Sequence, residues 1–266
     1  MKYYRLKFLL LAFLSLMIIS CDKSEESTDT PGTGGNGGNN TTYAPGKVEL
    51  DFSNMANTHG VDISGATAYA NSLGQAFRVS KFRYYVSNIV LIKDDGTEYN
   101  VPDIYHLVDE SLTASRKINC YNVPGGKYTG CRFLLGVDAG RVAAGNFTGD
   151  LDPSNGMFWS NTDGFVAMEL NGTTNYSPDS TYAFKIGGIG ANNALKTITC
   201  PFNGQTLIVN GTRNATVHLF AEILDAFRVP QNINFINTHH ISAPGTQAMM
   251  LADNYSDMIR FDHLHN

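Results

Sequence analysis

Residues 82–96 read FRYYVSNIVLIKDDG. From Phe82 to Ile92 the run is rich in aromatic and β-branched side chains, and it stops at Asp94-Asp95-Gly96. Such side chains suit the pleated, half-buried surface of a strand, and Asp-Gly is a hairpin-turn pair. The same grammar recurs along the chain. Lys47–Phe52 alternates, with Val48, Leu50 and Phe52 apolar. Tyr105–Val108 is a short strand, and Tyr128–Val137 follows the turn Pro124-Gly125-Gly126. Phe165–Leu170 stops at Asn171-Gly172, Tyr182–Ile186 at glycines, and Thr206–Val209 at Asn210-Gly211. Thr216–Ile223 sets Val217, Leu219, Ala221 and Ile223 against Thr216, His218, Phe220 and Glu222. Short alternating runs separated by turn residues predict an all-β chain, a β-sandwich with long irregular loops. Short helices are expected only at Ala66–Leu73 and Leu224–Phe227. Residues 138–164 show no regular element, and a loop of that length in a compact domain is usually functional or disordered.

The chain begins differently. Lys2, Arg5 and Lys7 precede an apolar run from Leu9 to Ile19, then Ser20-Cys21. This is the secretory pattern, and the run is short of the roughly 20 residues that span a bilayer. Ser20-Cys21 resembles a bacterial lipobox, so residues 1–20 are expected to be a signal peptide and Cys21 the lipidated first residue of the mature protein. Residues 21–46 are mainly Gly, Asn, Thr, Ser, Pro and Asp. Such a stretch buries too little to offset its ordering entropy and reads as a flexible tether. A single folded domain over 47–266 follows, placed at the outer membrane or cell surface, with the periplasmic face as the other leaflet.

The precursor carries a net charge of −5. Without residues 1–20, which hold three of its basic residues, 16 basic stand against 24 acidic residues, a net charge of −8. Nucleic acid selects basic faces and is excluded as a partner. Beyond Cys21 the cysteines are Cys120, Cys131 and Cys200. Either Cys120 and Cys131 form a disulfide across the Pro-Gly-Gly turn, or all three are small buried hydrophobes. Asn-x-Ser/Thr triplets, as at Asn146, Asn171 and Asn210, read as turn composition behind a lipobox. No HExxH, GxSxG or GxxxxGK[ST] is present, and no acid, base and nucleophile constellation stands out, so a non-catalytic protein is expected. Gly187-Gly188-Ile189-Gly190 lacks the βαβ context of a dinucleotide loop and reads as a turn.

The long loop ends in GDLDPSNGMFWSNTDG, residues 149–164, which contains the one tryptophan, Trp159. Gly149, Leu151, Asp152, Pro153, Gly156, Met157, Trp159 and Gly164 resemble a motif of the MbnP-like family of copper-associated bacterial periplasmic and surface proteins. Tyr85-Val86-Ser87-Asn88-Ile89, Gly136-Val137-Asp138, Phe184 with Ile186-Gly187, and Ala252-Asp253-Asn254 are similar to further segments of that family. The resemblance implies a copper protein whose tryptophan is oxidised to kynurenine by a diheme peroxidase-like partner. Two positions depart from it. Asn161 stands where relatives have a second aromatic, and Lys185 stands where they have a histidine. A lysine ammonium has no lone pair to give a metal, so this departure removes a ligand.

Copper is bound by imidazole, thiolate or thioether. His239-His240 is the adjacent pair, and a copper site is expected from one of them with Trp159. In an extended segment their side chains take opposite faces. His106 reads as a packing residue, and His263 and His265 as part of a frayed C-terminus. Asp150, Asp152 and Asn155 offer a competing oxygen set for calcium, or a plain Asp-Pro turn with solvated carboxylates. Three functions compete: a copper-binding surface lipoprotein, a surface β-sandwich that binds glycan or protein through its tyrosines, and a calcium-stabilised structural lipoprotein.

Overall fold

The computed structural model describes residues 42–266. The expected signal peptide, Cys21 and nearly all of the tether lie outside the described residues. No helix among the described residues is long and apolar enough to cross a membrane.

The strands in chain order are β1 (Gly46–Ala56), β2 (His59–Gly60), β3 (Tyr69–Ala70), β4 (Ala76–Lys93), β5 (Glu98–Asn100), β6 (Tyr105–Asp109), β7 (Lys117–Val123) and β8 (Gly126–Leu135). There follow β9 (Phe158–Ser160), β10 (Gly164–Thr173), β11 (Thr181–Gly187), β12 (Lys196–Pro201), β13 (Leu207–Val209), β14 (Ala215–Glu222), β15 (His240–Ile241) and β16 (Ile259–His265). The helices are α1 (Ala139–Ala144) and α2 (Thr246–Tyr255). One sheet runs β16-β14-β1-β2, with β7 also on β1. The other runs β12-β8-β4-β10-β11-β15, with β13 on β8, β9 on β10, and β3, β5 and β6 along β4. The result is the expected all-β sandwich.

Alternation decides which faces meet. Val48, Leu50 and Phe52 of β1 and Val217 and Leu219 of β14 are buried against Phe82 and Tyr84 of β4, Phe133 of β8 and Leu170 of β10. Phe52 meets Tyr84 and Phe133 edge-on, with centroids 6.0 and 5.8 Å away. The outward residues of the small sheet, such as Glu49, Asp51, Thr216 and His218, remain partly exposed.

The large sheet is covered on its outer face too. Tyr84 faces the sandwich core, where its hydroxyl donates to Asn54 Oδ1 at 2.9 Å. Tyr85 points the other way and donates to the Asp150 carbonyl at 2.6 Å. Residues 138–164 lie here as a structured excursion and bury a second core of Tyr85, Val137, Val142, Leu151, Met157, Phe165 and Val166. The expectation of no regular element there is corrected: the excursion holds α1, the 3-10 turns Gly149–Leu151 and Pro153–Asn155, and β9. Asp138 caps α1 through Arg141 N (3.0 Å), and Asp152 caps the second turn through Ser154 N (2.8 Å). These single turns are too short for a periodic hydrophobic pattern to reveal them.

The helix expected over Ala66–Leu73 does not form. Both carboxylate oxygens of Asp62 are taken by the backbone N–H groups of Ser64 and Thr67, which closes a turn, and β3 follows. Leu224–Phe227 does turn, within a 3-10 helix over Ile223–Phe227. Helix α2 was not anticipated. It buries Ala248, Leu251, Ala252 and Tyr255 on one face, at helical spacing. Asn254, fully buried, accepts from Gln231 N and donates to the carbonyls of Ala226 and Gln231, which ties α2 to the preceding loop.

The proposed Cys120–Cys131 bridge is not formed: Cys120, Cys131 and Cys200 are free and buried. The Pro-Gly-Gly turn does not lay the two cysteines opposite one another. Cys120 pairs with Val48 in the small sheet, whereas Cys131 of β8 lies directly across from Cys200 of β12 in the large one.

Candidate metal centre

The residues expected to share a copper site are not brought together. Trp159 sits on β9, half-buried against the second core, beside the start of β10. His240 pairs with Ala183, which lies across from Asn171 near the far end of β10. Phe165 to Asn171 is six steps along one strand, or about 20 Å at the rise of a β-strand. His240 instead lies 3.3 Å from Asp179 Oδ2 and 3.1 Å from Thr181 Oγ1. The neighbouring His239 ring keeps a buried Nδ1 without a partner.

Lys185 has a different task. On the outer face of the large sheet it lies across from Glu169, which lies across from Arg83. Glu169 is 2% exposed and forms an ion pair with Arg83. Both cations reach into the excursion: Arg83 Nη1 donates to the Asn155 carbonyl at 3.0 Å and Lys185 Nζ to the Gly156 carbonyl at 3.3 Å. Gly156 has a φ of 73°, the left-handed region that glycine enters at no steric cost. Lys185 thus clamps the tryptophan loop to the sheet.

The proposed calcium ligands are likewise occupied. Asp150 binds His106 Nδ1 (2.8 Å) and the Leu107 amide (3.0 Å). Asp152 caps its turn, and Asn155 turns its amide N–H groups to the carbonyls of Gly149 and Asp150. These bonds engage the carbonyl oxygens of Gly149 and Asp150 within the loop itself. The competing reading, a plain Asp-Pro turn, describes this loop better. His106 Nε2 lies 2.7 Å from the Ser115 carbonyl, so this ring too is fully engaged. Burial works against its protonation, but the Asp150 carboxylate and the Ser115 carbonyl outweigh it and raise its pKa.

Among the described residues, His218, His263 and His265 bring their ligand nitrogens within 4.8 Å of one another. His218 lies on β14 and the other two on β16, which is a paired strand rather than a frayed end. The His218 and His263 rings stack at 4.3 Å, and the Nε2 atoms of His263 and His265 are 3.2 Å apart.

A β-bulge makes this convergence possible. Leu219 pairs with Phe261, but His218 pairs with His263, so Asp262 is an extra residue in β16. Strict alternation from the buried Phe261 would turn His263 and His265 inward. The bulge absorbs Asp262 and re-phases the strand, leaving Leu264 partly buried and His263 and His265 outside beside His218. Asp262 then places its carboxylate 3.0 Å from His263 Nδ1. Asp51, across from His218 on β1, has its carboxylate 3.9 Å from His218 Nδ1, beyond hydrogen-bond reach, and pairs with Lys117 at 3.0 Å instead. A carboxylate hydrogen-bonded behind an imidazole, as Asp262 is behind His263, fixes its tautomer and raises the basicity of the other nitrogen, an arrangement typical of metal-bound histidine.

The electrostatics also favour a free base. Burial, then the nearby His263, lowers the His218 pKa below its ordinary value, so the ring is neutral and able to ligate at neutral pH. At a metal–nitrogen distance of about 2.0–2.1 Å, coordinated nitrogens stand roughly 3.3–4.1 Å apart. The observed spread needs only small rotamer shifts to meet that. The sequence held one unused cue, the spacing His263-x-His265, which puts two imidazoles on one face of any strand.

A family model, MbnP, matches residues 45–250. No curated protein matches. Among solved structures, MbnP from Methylosinus trichosporium is similar at 17% identity and a TM-score of 0.47, over 75% of this chain and 82% of that one. His263 and His265 lie beyond the matched span.

Proposed function

The chain belongs to the MbnP family, and from that premise we propose that it is a non-catalytic, lipid-anchored envelope protein that binds copper through His218, His263 and His265. The observation that carries this reading is the convergence of three imidazoles within 4.8 Å, one of them hydrogen-bonded to a carboxylate. Imidazole suits copper and zinc, and the Irving–Williams order favours copper(II) at a nitrogen site of this kind. Trp159 is then a packing residue. Copper capture needs neither its oxidation nor a diheme peroxidase-like partner, because the triad is remote from it in both sheet and strand. Cys21 supplies the anchor and the acidic tether holds the domain off the membrane.

The reading is tested with protein made in a host lacking any such partner. Copper titrated into this material is expected to bind one equivalent, with imidazole-nitrogen hyperfine coupling in the copper(II) electron spin resonance spectrum. Retention of copper by the triple variant H218A/H263A/H265A would refute it. Glycan stacking has less support: the exposed tyrosines Tyr121 and Tyr176 belong to different sheets, one on β7 and one in the β10–β11 turn.

A further inference from the structure

The three cysteines divide into a pair and a single thiol. Cys131 and Cys200 are directly opposed across the antiparallel strands β8 and β12, and both side chains enter the sandwich core. Opposed residues in such a ladder have Cα atoms about 4.5–5.5 Å apart, inside the 4.4–6.8 Å that a disulfide spans. Cys120 shares the sandwich core with the pair but comes from the facing sheet. Cys200 also lines an open groove of about 270 Å³ together with Thr199, Asn203, Phe220 and Arg260. Cys131 lines no part of it.

We infer that Cys131 and Cys200 are a redox pair that closes into a cross-strand disulfide, entered from the groove at Cys200, while Cys120 stays a reduced thiol. The two sulfurs differ in access: Cys200 borders the groove, whereas Cys131 is completely buried and borders no part of it. As a thiol Cys200 donates to the Ile259 carbonyl at 3.9 Å, and the neighbouring Cys131 thiol, helped by the Phe261 backbone, lowers its pKa against the opposing effect of burial. The same contact and complete burial raise that of Cys131. Burial pushes the Cys120 thiol up to about 12, which leaves it inert. The oxidant is a disulfide. Cys200 thiolate attacks one of its sulfurs, forming a mixed disulfide and expelling the other as thiolate. Cys131 gives up its proton and attacks Cys200 Sγ, releasing the second sulfur of the oxidant as a thiol. Two protein thiols lose two electrons and two protons, and one disulfide of the oxidant becomes two thiols.

This step does not depend on copper. The full chain, folded and reduced, is incubated with oxidised glutathione, quenched in acid, alkylated under denaturing conditions and mapped by peptide mass spectrometry. The expected result is a linked Cys131–Cys200 peptide pair, 2 Da lighter than the two free peptides, with Cys120 alkylated. Variant C131S is expected to accumulate glutathione on Cys200, and C200S to leave Cys131 unmodified. Alkylation of all three cysteines without prior reduction would overturn the inference, and so would a Cys120–Cys131 link. A second readout is stability: reductant should lower the melting temperature of the oxidised protein by about 5 °C or more, but leave that of C131S/C200S unchanged. No difference between oxidised and reduced protein would count against a bond at this position.

Discussion

The Nε2 atoms of His263 and His265 lie 3.2 Å apart on the outer face of the small sheet. Two imidazoles at that separation gain little from each other, since one must accept what the other donates. A cation between them replaces one hydrogen bond by two coordinate bonds. Each of H218A, H263A and H265A should therefore weaken copper binding by roughly 100-fold or more, and D262N, which loses only the carboxylate behind His263, by roughly 10-fold. Competition titration against a chelator of known affinity measures both. Equal affinity in wild type and H263A would show that the metal sits elsewhere.

The bulge makes an unusual prediction. Deleting Asp262 joins Phe261 directly to His263, and plain alternation then gives Phe261 inside, His263 outside, Leu264 inside and His265 outside, the same phases as in the native strand. The deletion should keep the site, with affinity within about tenfold of wild type, the loss being that of the backing carboxylate. Inserting one alanine after His263 should instead turn His265 inward and abolish binding.

How much of this was readable in the chain differs between fold and site. Val48, Leu50 and Phe52 announced their strand because one face meets the core and the other meets solvent. The same logic found the strands around Tyr84, Leu170 and Leu219. It could not find α1 or the 3-10 turns, which are held by side-chain caps from Asp138 and Asp152 rather than by a hydrophobic stripe. Nor could it find the histidine triad. His218 is far from His263 in sequence, and their meeting depends on strand order and a one-residue bulge, neither of which leaves a local pattern. Trp159, His239 and His240 looked related because two are adjacent and the third lies in a distinctive loop. Their separation along β10 became visible only with the ladder register.

Glu169 holds the outer face together. It is buried between two cations, Arg83 and Lys185, each bound to a carbonyl of the tryptophan loop. E169A takes away the close buried partner of Arg83 and leaves it only Asp109 at 4.0 Å and the Asn155 carbonyl, a loss of about 3 kcal/mol, expected to lower the melting temperature by about 6–12 °C. K185A removes only the partly exposed clamp and should cost far less, while loosening the loop enough to increase quenching of Trp159 by acrylamide. If K185A and E169A were equally stable, the row would not act as described.

Copper binding should fall with acidity. With its pKa lowered below the ordinary 6.5 by burial, His218 is mostly neutral at pH 6.5 and above. Protonation below the lowered value removes a ligand, so affinity holds through neutral pH and collapses in mild acid. The stability linkage has the same direction. The unfolded chain binds the proton more tightly than the folded one, so His218 destabilises the fold at low pH and the penalty disappears as pH rises past 6.5. H218A should remove this contribution from the stability profile, while copper binding keeps the pH dependence of the remaining imidazole ligands.

Opposite behaviour is expected at the tryptophan loop, where His106 and Asp150 form a 2.8 Å pair. The His106 hydrogen bond lowers the Asp150 pKa from its ordinary 3.8, against burial. Asp150 therefore contributes stability that is complete above 3.8 and is lost as pH falls through the lowered value. His106, raised from 6.5, contributes stability that is complete below 6.5 and is lost as pH rises through the raised value. The latch is strongest between these limits. Asp150 also presents its carbonyl to Tyr85 and anchors the turn that leads to Met157 and Trp159, so loosening it reaches the sole tryptophan. Trp159 emission should shift to longer wavelength as pH rises above 6.5, with faster amide exchange at Leu107. D150N and H106F should each abolish the pH dependence, and calcium should move neither the emission nor the melting temperature, because Asp150, Asp152 and Asn155 are already committed to the loop. An emission spectrum that titrates identically in D150N would assign the transition to another group and leave the His106–Asp150 contact as packing alone.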